Sequence, residues 1–98
     1  EEGRDVYLDL PVAPWEAALG GKVQVPTPAG KLDLKIPAGS NTGKKMRLKG
    51  KGIPGRHPGD FYVELKVMAP PADTEKAREI YREMERELAF NPRAALGV

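Results

Sequence analysis

Apolar and polar residues alternate along two stretches of this chain, near residues 6–12 and 61–67. A period of two places successive side chains on opposite faces of a β-strand. The apolar members are Val6, Leu8, Leu10 and Val12 in the first stretch, and Phe61, Val63, Leu65 and Val67 in the second. Each stretch is therefore predicted to be a strand with one buried face.

Three more strands are predicted between these two. The segments 22–26 and 31–37 alternate in the same way and are joined by "TPAG", whose Pro28 and Gly30 suit a tight reversal. They are expected to form a hairpin. The segment 44–49 follows as a further strand, with Met46 and Leu48 facing the core.

A short helix is predicted within "PWEAALGG", residues 14–21. Proline suits the first helical position, and the glycines at the other end can adopt the positive φ that stops a helix. We expect this helix to cap one end of the sheet core with Trp15, Ala18 and Leu19.

A second helix is predicted after Pro70 and Pro71, with Asp73 or Thr74 as its N-cap. Its apolar residues recur at steps of three and four, which places them on one face. They are Ala77, Ile80, Tyr81, Met84 and Leu88. A helix of this length is marginal alone. Its apolar face either folds back on the sheet or pairs with a second copy, and the pattern alone leaves both open.

The composition of the chain excludes several classes of function but does not identify one. The chain has 98 residues, a net charge of +2, no cysteine and one histidine. One domain is therefore expected, without disulfides, thiolate metal sites or a cofactor. No apolar run is long enough to span a membrane and no signal peptide is evident, so a soluble, cytoplasmic protein without membrane contact is expected. The lone histidine has no evident partner for a nucleophilic triad, and no enzymatic activity is expected.

The stretch "GSNTGKK", residues 39–45, superficially resembles a phosphate-binding loop. Only three residues separate Gly39 from Gly43, Lys45 stands where a hydroxyl residue is required, and a strand pattern follows instead of a helix. The stretch is predicted to be a connection between two strands, in which the glycines provide conformational freedom.

Residues 24–54, "QVPTPAGKLDLKIPAGSNTGKKMRLKGKGIP", together with "WEAALGGKV" upstream and "GDFYVEL" downstream, carry a resemblance. In order and spacing, these motifs resemble the second C-terminal β-domain of DnaJ-type J-domain co-chaperones, over residues 3–70. The resemblance implies a mostly β fold: a small β-sandwich with one short helix, followed by a C-terminal amphipathic helix. It implies a β-domain at 1–70 and a dimerisation segment at 71–98, which favours the homodimer over folding back.

The resemblance also implies a function. Co-chaperones of this family hold unfolded polypeptide clients for a DnaK-type chaperone, which the full-length protein would engage. By analogy with the client groove of the preceding domain of the family, the candidate client-binding residues are Leu10, Val12, Leu19, Val23 and Val25. For each of them taken singly, the alternative that it is an ordinary core residue is the stronger interpretation.

Three departures from the family pattern limit the function that the resemblance implies. The ATPase-activating His-Pro-Asp triplet of a J-domain is absent, because in "RHPGD" Gly59 separates Pro58 from Asp60. His57 is instead expected in an exposed loop. The cysteine repeats of zinc-binding relatives and the preceding β-domain are missing as well, so the chain is expected to be a piece of a longer protein.

A basic run supplies the alternative hypothesis. Lys44, Lys45, Arg47, Lys49 and Lys51 form a basic patch, followed by Arg56, before the next acid at Asp60. Such a cluster can bind nucleic acid or the acidic tail of a partner chaperone. Against nucleic acid, the run contains no aromatic residue to stack a base. A solvated outer strand face is the simplest alternative.

Overall fold

The computed structural model describes residues 3–98. Along the chain it contains β1 (Val6–Val12), α1 (Pro14–Leu19), β2 (Gly21–Thr27), β3 (Gly30–Ile36), β4 (Lys45–Leu48), β5 (Phe61–Val67), α2 (Glu75–Glu87) and a final 3₁₀ turn (Ala94–Leu96). The strands at 6–12 and 61–67 coincide with the predicted ones, and the other elements agree within a few residues.

In the described residues, five strands form two sheets. In the larger sheet β5 lies in the middle, with β1 parallel to it on one side and β4 antiparallel on the other. The smaller sheet is the predicted hairpin of β2 and β3. Pro11 and Pro26 therefore lie in strands that have a partner strand on one side only. Such an edge strand tolerates proline, which has no N–H to donate.

One apolar cluster joins both sheets and confirms a mostly β, sandwich-like fold. Phe61, Val63 and Leu65 of the central strand are at most 2% exposed. They pack with side chains from the other elements, namely Leu10, Val12, Ala17, Val25, Leu34 and Ile36. The alternating face of each strand thus lies where the period of two predicts it.

Helix α1 closes one end of this core, but with a different side chain from those expected. Ala17 is its buried residue, whereas Trp15 and Leu19 are 58% and 78% exposed and Ala18 is also exposed. The prediction for these three residues was wrong. A helix of six residues has only about one and a half turns, so few of its side chains can face the core. A single small residue fills that contact.

As predicted, the "GSNTGKK" stretch connects two strands, β3 and β4, and in the structure these belong to different sheets. The N–H groups of Gly39 and Ser40 donate to carbonyls at the end of α1, and the N–H of Gly43 donates to Leu65 O at 2.9 Å. The Thr42 hydroxyl accepts from Val67 N at 2.8 Å. Gly39 and Gly43 have φ of 78° and 94°, a backbone conformation that residues with a side chain rarely adopt.

The loop between β4 and β5 is held against the start of β1. Arg4 accepts the Ile53 N–H through its carbonyl at 2.9 Å and donates from Nη1 to Pro54 O at 2.6 Å. Gly52 is buried here and donates to Gly59 O at 2.9 Å. His57 lies in this loop and is exposed, as expected.

Helix α2 extends away from the sandwich. Its N-cap is Thr74, whose hydroxyl accepts from Ala77 N at 3.0 Å. No residue of the helix is buried, and the Tyr81 hydroxyl donates to Pro70 O near its base. The molecule is accordingly elongated, with extents of 54 × 33 × 21 Å.

Candidate functional site

The five residues predicted to contact a client divide into two groups. Leu10, Val12 and Val25 are core residues, 7%, 3% and 0% exposed. A ligand could not reach their side chains without opening the sandwich. Leu19 is largely exposed and Val23 is half-buried against the core cluster. These two side chains are the members of the predicted set that a ligand can reach.

Leu19 and Val23 adjoin an open strand edge. Within residues 3–98, β2 pairs with β3 and with no other strand, so its opposite edge carries unpaired backbone groups. Leu19 lies two residues before this strand, at the end of α1. Because Pro26 has no N–H, the edge can donate only along its first part, at Gly21–Val25. An extended polypeptide could pair there through its backbone.

The apolar face of α2 forms a second candidate surface. Ile80, Met84 and Leu88 are 53%, 39% and 65% exposed, while Ala77 and Tyr81 are half-buried. Phe90, Leu96 and Val98, which are absent from the predicted set, add exposed apolar side chains beyond the helix. Their position after the helical repeat ends is why the periodicity missed them. Tyr81, Met84, Leu88, Phe90 and Pro92 line a cavity of about 420 Å³.

Of the predicted basic patch, Lys45 and Arg47 lie on the solvent side of β4, and Lys44, Lys49 and Lys51 lie in the connections on either side of this strand. All five of its members are exposed. Arg47 is paired with Asp60, since its Nη2 lies 2.6 Å and its Nε 2.7 Å from Asp60 Oδ2. The four lysines make no ion pair with any residue in the described part of the chain. Their charges are therefore available to an anionic partner.

Asp60 is the acid that organises this region. Its other oxygen, Oδ1, accepts the Gly50 N–H at 2.9 Å. The hydrogen bond from Gly50 and then that from Arg47 hold the pKa of the Asp60 carboxyl below its usual value. In turn, the hydrogen bond and charge of Asp60 raise the pKa of Arg47. This pair stays ionised at neutral pH and fixes the Arg47 side chain in place.

Two tyrosines adjoin the patch, although the basic run itself contains no aromatic residue. Tyr7 and Tyr62 are register partners on β1 and β5, and Tyr62 is also the partner of Arg47 on β4. The rings stack with centroids 5.0 Å apart and planes inclined by 11°. Sequence reasoning missed this because it depends on the pairing of three strands that lie far apart in the chain.

A cleft extends beside the tyrosines at the end of the sheet. It has a volume of about 490 Å³ and is lined by Arg4, Asp5, Arg47, His57, Pro58, Gly59, Asp60 and Tyr62. Tyr62 also borders a smaller cleft of about 220 Å³ together with Tyr7 and Lys45. The two clefts share Tyr62, and the smaller one is also lined by the acids Asp9 and Glu64.

Metal binding and membrane insertion find no support in the described residues. In residues 3–98, no three His, Cys, Asp or Glu side chains come together as metal ligands. Neither helix of the described chain has the length and apolar character that a membrane span requires.

The comparisons with known proteins agree on one family. The family model described as the DnaJ C terminal domain matches residues 1–70. A curved DNA-binding protein of Coxiella burnetii is 53% identical over 95 residues, which cover 97% of this chain and 30% of the relative. Proteins of the same name from Pseudomonas putida and Serratia proteamaculans are 47% and 48% identical over 94 and 93 residues, which cover 94% and 93% of this chain. The chain thus spans about 30% of the length of these curated relatives.

Proposed function

Because this chain belongs to the DnaJ C-terminal domain family, we propose that it is a non-catalytic part of a DnaJ-type co-chaperone that dimerises and helps to hold unfolded polypeptides. The longer protein would pass these clients to a DnaK-type chaperone in the cytoplasm. In this proposal residues 1–70 are the client-holding β-domain and residues 71–98 are the dimerisation segment.

The observation that carries the client-holding proposal is the open edge of β2 beside Leu19. An unfolded segment can add to this edge through backbone hydrogen bonds, which do not depend on the client's sequence. Leu19 and Val23 then supply apolar contact at the start of the added strand. The buried Leu10, Val12 and Val25 support the site indirectly, because they hold β1 and β2 in a rigid sandwich.

Dimerisation is supported by the exposure of the α2 face. A helix of 13 residues with no buried side chain gains little from its own domain. A second copy would cover Ile80, Met84 and Leu88, and the exposed Phe90, Leu96 and Val98 would enlarge the apolar contact. The opposite helix face carries the ion pairs of Glu75 and Glu79 with arginines and stays compatible with solvent.

Binding of a fluorescently labelled, unfolded apolar peptide tests the client-holding proposal. Leu19→Asp is expected to weaken binding about tenfold, since burial of a leucine contributes roughly 1.5–3 kcal/mol. Met68→Asp is the matched control, because Met68 is also an exposed apolar residue but lies after β5. Equal affinity of the parent chain and the Leu19→Asp variant would remove the proposed site.

Nucleic-acid binding is the second candidate function. It is favoured by the four lysines of the basic patch, which form no ion pair within residues 3–98, and by the name of the relatives, which are called curved DNA-binding proteins. Cations on a solvent-facing strand can follow a phosphate backbone without reading its sequence. The same cations could instead attract the acidic tail of a partner chaperone, and competition between DNA and an acidic peptide distinguishes the two.

A further inference from the structure

We propose that the open edge of β1 binds an extended, basic segment of another polypeptide, with one cationic side chain on the free face of Tyr7 and a second cation opposite Asp9. This inference goes beyond the client site proposed on β2, because it names a different strand edge and charged instead of apolar side chains. It requires neither dimerisation nor nucleic-acid binding.

The edge of β1 offers backbone groups for strand pairing. Within residues 3–98, β1 pairs with β5 and with no other strand. At the two ends of this pairing, the Val6 N–H donates to the backbone just before β5 at 3.0 Å, and the Val12 carbonyl accepts from the backbone just after it at 2.8 Å. The N–H and C=O groups of a strand point to alternate sides at successive residues, so those of Tyr7 and Asp9 point to the open edge. An added strand can bond to both residues.

The ring of Tyr7 provides a flat surface at the same edge. Tyr7 and Tyr62 are register partners, and their rings stack 5.0 Å apart with planes inclined by 11°. Since β1 is an edge strand and Tyr7 is 71% exposed, the ring face that points away from Tyr62 is open. Neighbouring strands lie about 4.8 Å apart, so a strand added to β1 would place the side chain opposite Tyr7 at nearly the same spacing. A guanidinium at that position stacks on the ring and is attracted by its negative face.

Two acids lie beside Tyr7 along the strand and favour a cation there. Asp5 and Asp9 are two residues before and two residues after Tyr7, so the three residues share one face. Residues 5–12 contain no lysine or arginine. Asp9 is exposed and forms no ion pair in the described part of the chain. A cation two residues along the added strand would lie opposite Asp9, where opposite charges stabilise a pair of strands.

The neighbouring strands leave this edge negative. The register partner of Asp9 on β5 is Glu64, another acid, which is paired with Lys66 at 3.2 Å. Lys45 lines the same cleft as Asp9, but it is the register partner of Glu64 on β4 and lies two strands away from Asp9. An acidic segment or a phosphate backbone would be repelled at the edge, and an apolar segment would cover the Asp9 carboxylate without giving it a partner. A basic segment is the occupant that this charge fits.

Fluorescence anisotropy with three labelled peptides of one length tests the inference. In each peptide threonine alternates with a second residue, which is arginine, glutamine or glutamate, and the arginine peptide is expected to bind most tightly. Asp9→Asn should weaken its binding roughly 1.5- to 5-fold, and Tyr7→Ser roughly 2- to 5-fold, the ranges for one cross-strand charge pair and one exposed cation–π contact. Asp9→Lys should shift the preference to the glutamate peptide. Asp33→Asn, which removes an exposed acid from β3, is the matched control and should change nothing.

Amide hydrogen exchange shows which edge the peptide uses. The outward-pointing amides of Tyr7 and Asp9 should exchange fast in the free chain and become protected when the arginine peptide is added. The amides of Leu8 and Leu10 point to β5 and should exchange slowly in both states. The ring protons of Tyr7 should shift in the NMR spectrum as well. Circular dichroism of Tyr7→Ser confirms that this variant is folded.

Three outcomes would overturn the inference. Absence of binding, or equal affinity for the three peptides, would show that the edge does not select a basic segment. Equal weakening by Asp9→Asn and Asp33→Asn would show that overall charge governs binding. Protection of Lys22 and Val23 instead of Tyr7 and Asp9 would assign the basic peptide to β2 and leave the client-holding proposal intact. Protection of Tyr7 and Asp9 would support the inference even if apolar clients leave β2 unchanged.

Discussion

Arg47 contacts a single oxygen of Asp60 through two of its nitrogens, Nη2 at 2.6 Å and Nε at 2.7 Å. This contact joins β4 to the residue that precedes the central strand β5. Asp60 is held from three further directions, since it accepts from Gly50 N, donates through its own N–H to Asp5 Oδ1 at 2.8 Å and accepts from Val6 N at 3.0 Å. The residue therefore links β1, β4 and β5 at one end of the sheet.

This link predicts a loss of stability in acid. The folded state depresses the pKa of Asp60, so its contribution is complete above the unfolded pKa of about 4 and is lost as the pH falls through the lower folded value. Asp60→Asn, which cannot carry the charge, should flatten this part of the pH profile. Urea unfolding between pH 7 and pH 2 measures the effect. Asp9→Asn is the control, because no ion pair of Asp9 is found in the described chain. Identical acid profiles for the parent and Asp60→Asn would contradict the prediction.

Gly52 is predicted to tolerate a side chain less well than Gly55, another glycine of the β4–β5 loop. A Cβ at this position would lie 2.5 Å from Arg4 O and 2.6 Å from Asp60 O, which are backbone atoms tied into the sheet. Gly52→Ala should therefore cost about 1–3 kcal/mol of unfolding free energy. At Gly55 the nearest atoms belong to the Arg4 guanidinium, which can move away. Gly55→Ala is expected to cost less than Gly52→Ala in the same denaturation measurement, and the reverse order would contradict this packing.

The α2 face is predicted to hold two copies together. Met84→Glu would place a charge in the shared apolar contact, and an unpaired buried charge costs on the order of 3 kcal/mol, about a hundredfold in the dimer constant. Arg86→Gln changes the net charge by the same amount on the opposite face and should have no effect. Sedimentation velocity over a range of concentrations measures both variants. A Met84→Glu chain that sediments like the parent would show that α2 does not join the copies.

The basic patch predicts a salt-dependent affinity for DNA. Replacing Lys45 and Lys49 by glutamine should lower the slope of log K against log salt by about two, because each lysine that contacts a phosphate releases about one counterion. The variant should keep its affinity for an apolar client peptide. Lys31 and Lys35 on the hairpin, replaced in the same way, provide the charge-matched control. If the control lowers the slope equally, general charge and not the patch governs binding.

Much of the fold follows from local pattern. The alternation at Val6–Val12 and Phe61–Val67 predicts both strands to the residue, because each has one buried face and polar neighbours at every second position. The sequence likewise limits the N-cap of α2 to Asp73 or Thr74, and in the structure the cap is Thr74. The contact of α1 was less predictable, since one and a half turns carry no periodicity that could select Ala17 over Leu19.

Strand order and register were beyond the local pattern. Nothing in the alternation indicates that β1 and β5 run parallel or that β5 lies between β1 and β4. The stacking of Tyr7 on Tyr62, with Arg47 on the neighbouring strand, depends on this arrangement, because it brings together residues 7, 47 and 62. The same dependence explains why three of the predicted client-binding residues are buried. Periodicity identifies the apolar positions of a strand, but it does not show which of them the other sheet covers.

The most direct test of the client-holding account is an NMR titration of the isotope-labelled chain with an unfolded apolar peptide, repeated at raised salt. The account predicts that amide signals of Leu19, Lys22 and Val23 move and that the shifts persist in salt, since apolar contact and backbone pairing are weakly screened. Absence of shifts along β2, or shifts confined to residues 44–51 that disappear in salt, would contradict it.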